Sequence, residues 1–297
     1  MESPQTLTES RHPESGNLDR LSSLDILALM NREDGTVVRV VEEALPALAR
    51  LVDAVVERLR AGGRLFYVGA GTSGRLGALD AAECPPTFGT DPDRVQAVLA
   101  GGMEAFGRAV EHAEDDPAAG AAELDRRGLS RADFVLGLSA SGRTPFVIGA
   151  LRRAREVGAG TGALFCNPGA PMASEAEHLL LLAVGPEILT GSTRLKAGTA
   201  TKMALNMVST AAMVRLGHCF GNLMVDVRAN SAKLRERRVR ILAESSGVEE
   251  GRAARILEEA GGDLRLAMVM AASGVDSQEA RRRLQEADDL RQLLPGG

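Results

Sequence analysis

A chain of 297 residues, 44% of them apolar, is long enough for one large globular domain or for a domain with a small appendage. A net charge of −5, an aromatic content of 3% and the lack of Trp argue against a base-stacking nucleic-acid platform and against attraction to nucleic acid or anionic lipid. Three separated cysteines (Cys84, Cys166, Cys219) read as free buried thiols of a reducing compartment, with no Cys-His metal spacing. No apolar run reaches the roughly 18 residues needed to span a bilayer, and the polar start MESPQTLTESRHPESGN lacks the apolar core of a signal peptide. The expectation is a cytoplasmic protein with no membrane and no nucleic-acid partner.

The first 20 or so residues are polar and read either as a disordered tail or as a segment that packs on a partner. Ser22 or Ser23 caps a short helix through Met30. A longer helix is predicted over 37–60, with Val37, Val40, Val41, Ala44, Leu48, Leu51, Val55 and Leu59 on one face, ended by Gly62-Gly63. The short strand Leu65 to Val68 then empties into a loop of Gly69, Gly71, Thr72, Ser73 and Gly74. A helix follows and ends at Glu83, against Cys84-Pro85-Pro86.

Further strand-like runs lie at 95–99, 134–138, 162–166 and 179–183, with helical segments at 75–83, 104–112, 117–127 and 145–157 between most of them. Short apolar strands without polar alternation are buried on both faces. The rhythm predicts an α/β fold: a doubly wound, mostly parallel five-stranded sheet flanked by helices, with ligands at the carboxyl ends of its strands. A Met-rich helix follows from about Lys196 to Leu216. From about Arg237 the texture becomes short helices broken at Ser246-Gly247, Gly261-Gly262 and Ser273-Gly274, a small helical domain. The expected organisation is a polar segment with helices over 1–60, an α/β domain over 61–235 and a helical domain over 236–297.

Three polar loops could meet a ligand. In Gly69-Ala-Gly-Thr-Ser-Gly74 the glycines admit an anion, helix N-terminal N–H groups favour negative charge, and Thr72 and Ser73 add hydroxyl donors. It is not a nucleotide P-loop, because no Gly-Lys-Ser/Thr follows; a purely structural glycine turn is the alternative. Ser139-Ala-Ser-Gly-Arg-Thr144 repeats the device after the strand at 134–138. Ser139, Ser141 and Thr144 could converge with the first loop on a phosphomonoester, with Arg143 either a ligand or a structural ion pair; simple capping is the alternative. The third loop, 185–196, offers Ser192 and Thr193 as caps, and Glu187 and Lys196 as residues that either line the site or do not.

The acids suggest proton transfer. Glu83 closes the first of these helices. Glu111 and Glu114 are expected on one helix face in Glu111-His-Ala-Glu-Asp-Asp116, although such acidic runs are usually solvated ends. Two carboxylates in unlike surroundings can divide into an acid and a base, and a Glu acid at neutral pH is expected to be partly buried.

Long strings in this chain resemble one family: VGAGTSGRLG, DAAECPPTFG, AVEHAEDD, LSASGRTPFVIGAL, CNP at 166–168, VGPEILTGSTRLKAGTATKMALNM and NLMVDV. They resemble the N-acetylmuramic acid 6-phosphate etherases over nearly the whole length, with a core like a sugar isomerase (SIS) domain and a tail similar to a small ubiquitin-associated-like helical domain. The resemblance implies cleavage of a lactyl ether to N-acetylglucosamine 6-phosphate and D-lactate, by elimination and then water addition, in cell-wall amino sugar recycling. It places catalytic roles on Glu83, as proton donor to lactate, and on Glu114. It places phosphosugar contacts on Thr72 and Ser73 and on the turn of Ser139, Ser141, Arg143 and Thr144, beside the candidate contacts Gly71, Glu111, Ser192 and Lys196. A carboxyl pair serves such a reaction with no metal and no cofactor. A homodimer is expected. The competing readings are an SIS-type sugar-phosphate isomerase, which needs no acid for a leaving group at C3, and a non-catalytic sugar-phosphate sensor.

Overall fold

The computed structural model describes residues 7–108, 110–227, 232–287 and 290–294. Among them two compact units are distinguished: one comprises Met1–Ala82 and Pro92–Ala212, the other Glu83–Asp91 and Met213–Gly297.

The first unit is built on five strands: β1 (Leu65–Gly69), β2 (Val95–Leu99), β3 (Phe134–Leu138), β4 (Gly160–Phe165) and β5 (His178–Leu181). They form one sheet of order β2-β1-β3-β4-β5, with every pair parallel. Every residue of β1, β3 and β4 is buried, which is why these runs carry no polar alternation. The sequence places β4 and β5 within one or two residues of where they lie. Pairing sets Gly69 opposite both Leu99 and Leu138, Leu138 opposite Leu164, and Phe165 opposite Leu181. The strands therefore end level, and the loops that follow them leave from one edge. The order reverses between β1 and β3, the point at which ligands bind in open α/β sheets.

Helices cover both faces. α1 (Ser23–Asp34) is capped by Ser22, whose hydroxyl accepts the Asp25 N–H at 3.2 Å. α2 (Val37–Arg60) buries Val37, Val41, Ala44, Leu48, Leu51, Val55 and Leu59 as its periodicity predicts, leaves Val40 half-buried, adds Val52 and Val56, and packs on β4 and β5. Each such side chain contributes about 1.5–3 kcal/mol when fully buried. α3 (Gly71–Phe88) and α7 (Lys196–Arg215) lie on the Tyr67 side of β1: Tyr67 donates to Asp80 of α3, and Asn206 and Ser209 of α7 donate to the same carboxylate. The opposite face carries α5 (Pro117–Arg126) and α6 (Pro145–Val157), whose Leu124, Phe146, Val147, Ala150 and Leu151 join Phe66, Val68 and Val135 in one core.

Two helices differ from expectation. α3 starts at Gly71, inside the expected loop, and continues past Glu83 through Pro85 and Pro86. The prolines remove the N–H groups that would reach the Ala81 and Ala82 carbonyls, a loss of up to about 3 kcal/mol per residue in a helix interior. The last turn is held in the second unit by buried Phe88, whose ring centroid is 6.5 Å from that of His218. The helix expected over 104–112 is a single turn, α4 (Glu104–Gly107). Glu111 and Glu114 therefore share no helix face; they stand in a turn in which His112 takes a left-handed φ of 60°.

The second unit contains a short hairpin, β6 (Cys219–Phe220) with β7 (Leu223–Met224), and four helices among the described residues: α8 (Ala232–Ser246), α9 (Glu250–Glu259), α10 (Leu264–Ser273) and α11 (Ser277–Glu286). The breaks fall where the glycines predict them. Leu242, Ala253, Leu257, Leu266, Ala267, Val269 and Ala280 form a core of its own. Asp263 and Asp276 cap α10 and α11 by accepting the N–H groups of Leu266 and Glu279.

Candidate active site

The carboxyl edge of the sheet gathers the polar loops. At the end of β1 the chain turns into α3 with no room for side chains. A Cβ on Gly74 would meet the Gly69 carbonyl oxygen at 2.6 Å and the Leu99 Cδ1 at 2.3 Å. The close approach puts Gly71, Thr72 and Ser73 in the first turn of α3, where backbone N–H groups lack intrahelical acceptors and the helix dipole favours an anion. Both hydroxyl residues are half-buried.

After β3, the side chains of Ser139, Ser141 and Thr144 converge. The Ser139 hydroxyl lies 3.2 Å from that of Ser141 and 2.8 Å from that of Thr144, and accepts the Gly142 N–H at 3.0 Å. Thr144 occupies the N-cap position of α6, yet its side chain makes no capping bond; it is turned to Ser139. Three hydroxyls at one helix N-terminus can rotate to donate to the oxygens of a tetrahedral dianion. Arg143 is exposed, and its backbone N–H donates to the Ser141 hydroxyl at 3.2 Å.

Asn167, after β4, fastens this turn from below. It is buried and donates to the Ala140 carbonyl at 2.9 Å and to the Thr8 hydroxyl at 3.0 Å, while accepting the Thr8 N–H at 3.1 Å. Gly191 donates to the Thr8 carbonyl at 3.2 Å. The described part of the N-terminal segment is thus not a tail: it docks on this chain and joins the loops after β3, β4 and β5.

In the loop after β5, Glu187 rather than Ser192 or Thr193 caps α7. Its carboxylate accepts the N–H groups of Lys196 and Ala197 at 3.0 and 2.9 Å. Burial pushes the Glu187 carboxyl upward despite those bonds. Ser192 is half-buried in the turn just before α7. The Lys196 ammonium is buried and lies 2.7 Å from Glu33 of α1, which also contacts His12 Nε2 at 3.1 Å. Burial alone would raise the Glu33 carboxyl; bonds from Lys196 and His12 outweigh it and hold the group below its ordinary value. α7 also approaches the β1 turn, since a Cβ on Gly198 would sit 3.5 Å from Thr72 Cγ2.

The connection after β2 forms the other wall. Glu111, Glu114, Arg75 and Gly71 line a cleft of about 210 Å³ with Ala70, Ala100 and His112. The Glu114 carbonyl accepts the Phe146 N–H of α6 at 3.0 Å, which ties this acid's backbone to the helix that begins at Thr144. Glu111 and Glu114 are exposed. Glu83, expected to be partly buried, is exposed as well.

Sequence reasoning passed over Asp80, which is 5% exposed and accepts from Tyr67 (2.9 Å), Asn206 (2.7 Å) and Ser209 (3.1 Å). Burial raises its carboxyl above the ordinary range, and the three donors only partly offset this. The only sequence signal was its place one helical turn before Glu83. Cys166 is a packed thiol: burial, then the Glu187 carboxylate, push it up to about 12. No helix among the described residues is long and apolar enough to cross a membrane.

Comparison with known proteins bears on both fold and family. Residues 47–155 match the model of the glucokinase regulatory protein N-terminal SIS domain, and residues 117–211 match that of the SIS domain. Two solved structures share the fold. One is a candidate sugar-phosphate isomerase of Listeria monocytogenes, 16% identical with a TM-score of 0.50 over 66% of this chain and 92% of that one. The other is a candidate phosphosugar isomerase of Bacteroides fragilis, 20% identical with a TM-score of 0.51 over 65% and 91%. Three curated relatives carry the name N-acetylmuramic acid 6-phosphate etherase. That of Rubrobacter xylanophilus is 54% identical over 99% of this chain and 97% of its own. That of Mycolicibacterium smegmatis is 51% identical over 98% of both. That of Geobacillus thermodenitrificans is 50% identical over 95% of both. With half its residues identical over nearly its full length, the chain belongs to the N-acetylmuramic acid 6-phosphate etherase family.

Proposed function

We propose that this protein, a carbon–oxygen lyase, releases D-lactate from N-acetylmuramic acid 6-phosphate and leaves N-acetylglucosamine 6-phosphate, in cytoplasmic recycling of cell-wall amino sugar. The observation that supports it most is the full-length identity to etherases, combined with a hydroxyl cluster at the helix N-terminus after β3. The phosphate sits between the Ser139–Ser141–Thr144 cluster and the first turn of α3. In the open-chain aldehyde the C2 proton is acidic. A carboxylate removes it, the C3–O bond breaks, and a carboxylic acid gives its proton to the departing lactate oxygen. Water then adds at C3 of the unsaturated aldehyde while C2 regains a proton, with the two acids in reversed roles. Glu83 is assigned the proton to lactate and Glu114 the second role. Neither step calls for a metal or cofactor.

The proposal includes a homodimer.

Elimination followed by hydration predicts that, in heavy-oxygen water, label enters the sugar C3 hydroxyl and not the lactate; label in lactate alone overturns the mechanism. A Ser141→Ala variant is expected to raise KM about ten- to a hundredfold with kcat little changed, since a bond to phosphate acts in ground and transition states alike. Steady-state kinetics check this, and an unchanged KM removes Ser141 from the phosphate site.

A further inference from the structure

We infer that Arg75 is a positioning residue: its guanidinium holds the connection after β2, and with it Glu111 and Glu114, against the cleft beside the β1 turn. The kinetic consequence rests on the etherase reading above; the structural consequence does not.

Arg75 stands in the second turn of α3, just past Thr72 and Ser73. Its Nε donates to the carbonyls of Ala105 and Phe106, both at 3.0 Å, and its Nη2 donates to that of Arg108 at 3.3 Å. In a helix these carbonyls would accept N–H groups four residues further on. The guanidinium takes their place, with charge-assisted bonds roughly twice as strong as neutral ones. These bonds meet the helix expected over 104–112 where it stops after one turn, with Arg108 extended at φ −144° and ψ 158°.

The connection has little else to hold it. Met103, Phe106, Glu111, His112 and Glu114 are exposed. Its own packing is a small knot in which the Cβ atoms of Val110, Ala105 and Ala113 crowd Gly101. Residues 110–113 line the cleft of about 210 Å³ on one side and a hollow of about 700 Å³ on the other, and of these four only Ala113 packs against the core of the first unit. Beyond the buried Ala105 and the half-buried Ala113, the long-range hydrogen bonds that tie it down are the Arg75 fork at one end and the Phe146 N–H on the Glu114 carbonyl at the other. A segment with few buried contacts opens at low free energy unless such bonds are kept. Arg75 thus couples the helix turn proposed for phosphate to the segment that carries the second acid.

Two variants test this: Arg75→Met, which keeps length and removes every donor, and Arg75→Lys, which keeps the charge and loses the fork. In substrate-free protein, hydrogen exchange of amides 103–108 and 110–114 is expected to accelerate about tenfold or more in Arg75→Met and less in Arg75→Lys, with the amides of β1 and β3 unchanged. With N-acetylmuramic acid 6-phosphate, kcat is expected to fall about ten- to a hundredfold while KM stays within about threefold. Unchanged exchange over these residues overturns the inference even if activity falls. Faster exchange with unchanged kcat overturns it too. A raised KM at unchanged kcat makes Arg75 a substrate ligand instead. If Arg75→Met disturbs β1 and β3, Arg75→Lys decides. If the wild-type protein releases no lactate, the etherase reading fails, and exchange alone decides whether Arg75 holds the segment.

Discussion

Replacing Glu83 with alanine is expected to lower the rate of lactate release by about a hundred- to ten-thousandfold, the usual contribution of a positioned general acid. An alkoxide at C3 is a poor leaving group, so a proton must arrive as the C–O bond breaks. Binding should survive, because phosphate recognition is assigned to Thr72, Ser73 and the turn at 139–144, and Glu83 lies at the other end of α3. Calorimetric titration with N-acetylglucosamine 6-phosphate should therefore give a dissociation constant within about threefold of wild type. The same variant examines the dimer. If Glu83 acts on the partner's substrate, mixing Glu83→Ala with a phosphate-turn variant, Ser139→Ala/Ser141→Ala, and allowing subunits to exchange restores activity, at substrate too dilute for the phosphate-turn variant to turn over, to about a quarter of wild type, since half the dimers are mixed and each has one intact site. Unchanged turnover in Glu83→Ala would overturn its assignment. An inactive variant that is not rescued on mixing would place both groups in one copy.

Gly142→Ala is expected to damage stability and binding together. Gly142 is buried at φ 68°, a left-handed conformation that costs an L residue about 1–2 kcal/mol. Its new Cβ would stand 2.3 Å from that of Ala170, so the segment after β4 must move, and overpacking of this kind costs about 1–3 kcal/mol more. The sum, about 2–5 kcal/mol, lowers Tm by on the order of 5–15 °C in a unit of this size. The movement also reaches the site. The Gly142 N–H donates to the Ser139 hydroxyl, and the Gly142 carbonyl accepts the Met172 N–H at 3.1 Å. Shifting this residue spreads the three hydroxyls, and KM should rise further than in Ser141→Ala. A Tm within about 2 °C of wild type, with KM unchanged, would show that the turn absorbs the methyl group and that its geometry is not what binds phosphate.

The five strands, the long helices α2 and α6, and the breaks between the C-terminal helices were legible in the chain itself. Each is set by local chemistry: unbroken apolar runs for strands buried on both faces, a 3.6-residue stripe for α2, and glycine after α8, α9 and α10. The family was legible too, because long strings such as DAAECPPTFG and TGSTRLKAGT carry far more information than a lone glycine motif. The tertiary structure decided the rest, through bonds between residues far apart in sequence. The helix expected over 104–112 stops where its carbonyls meet Arg75, some thirty positions earlier. α3 runs on through two prolines because Phe88 is anchored in the second unit. Lys196, a candidate for the substrate, faces Glu33, 163 positions away, and Thr8 and Asn167 meet across 159. Periodicity and capping report only what lies within a few residues of a position. Which donor a carbonyl or carboxylate finally meets is settled by the folded backbone.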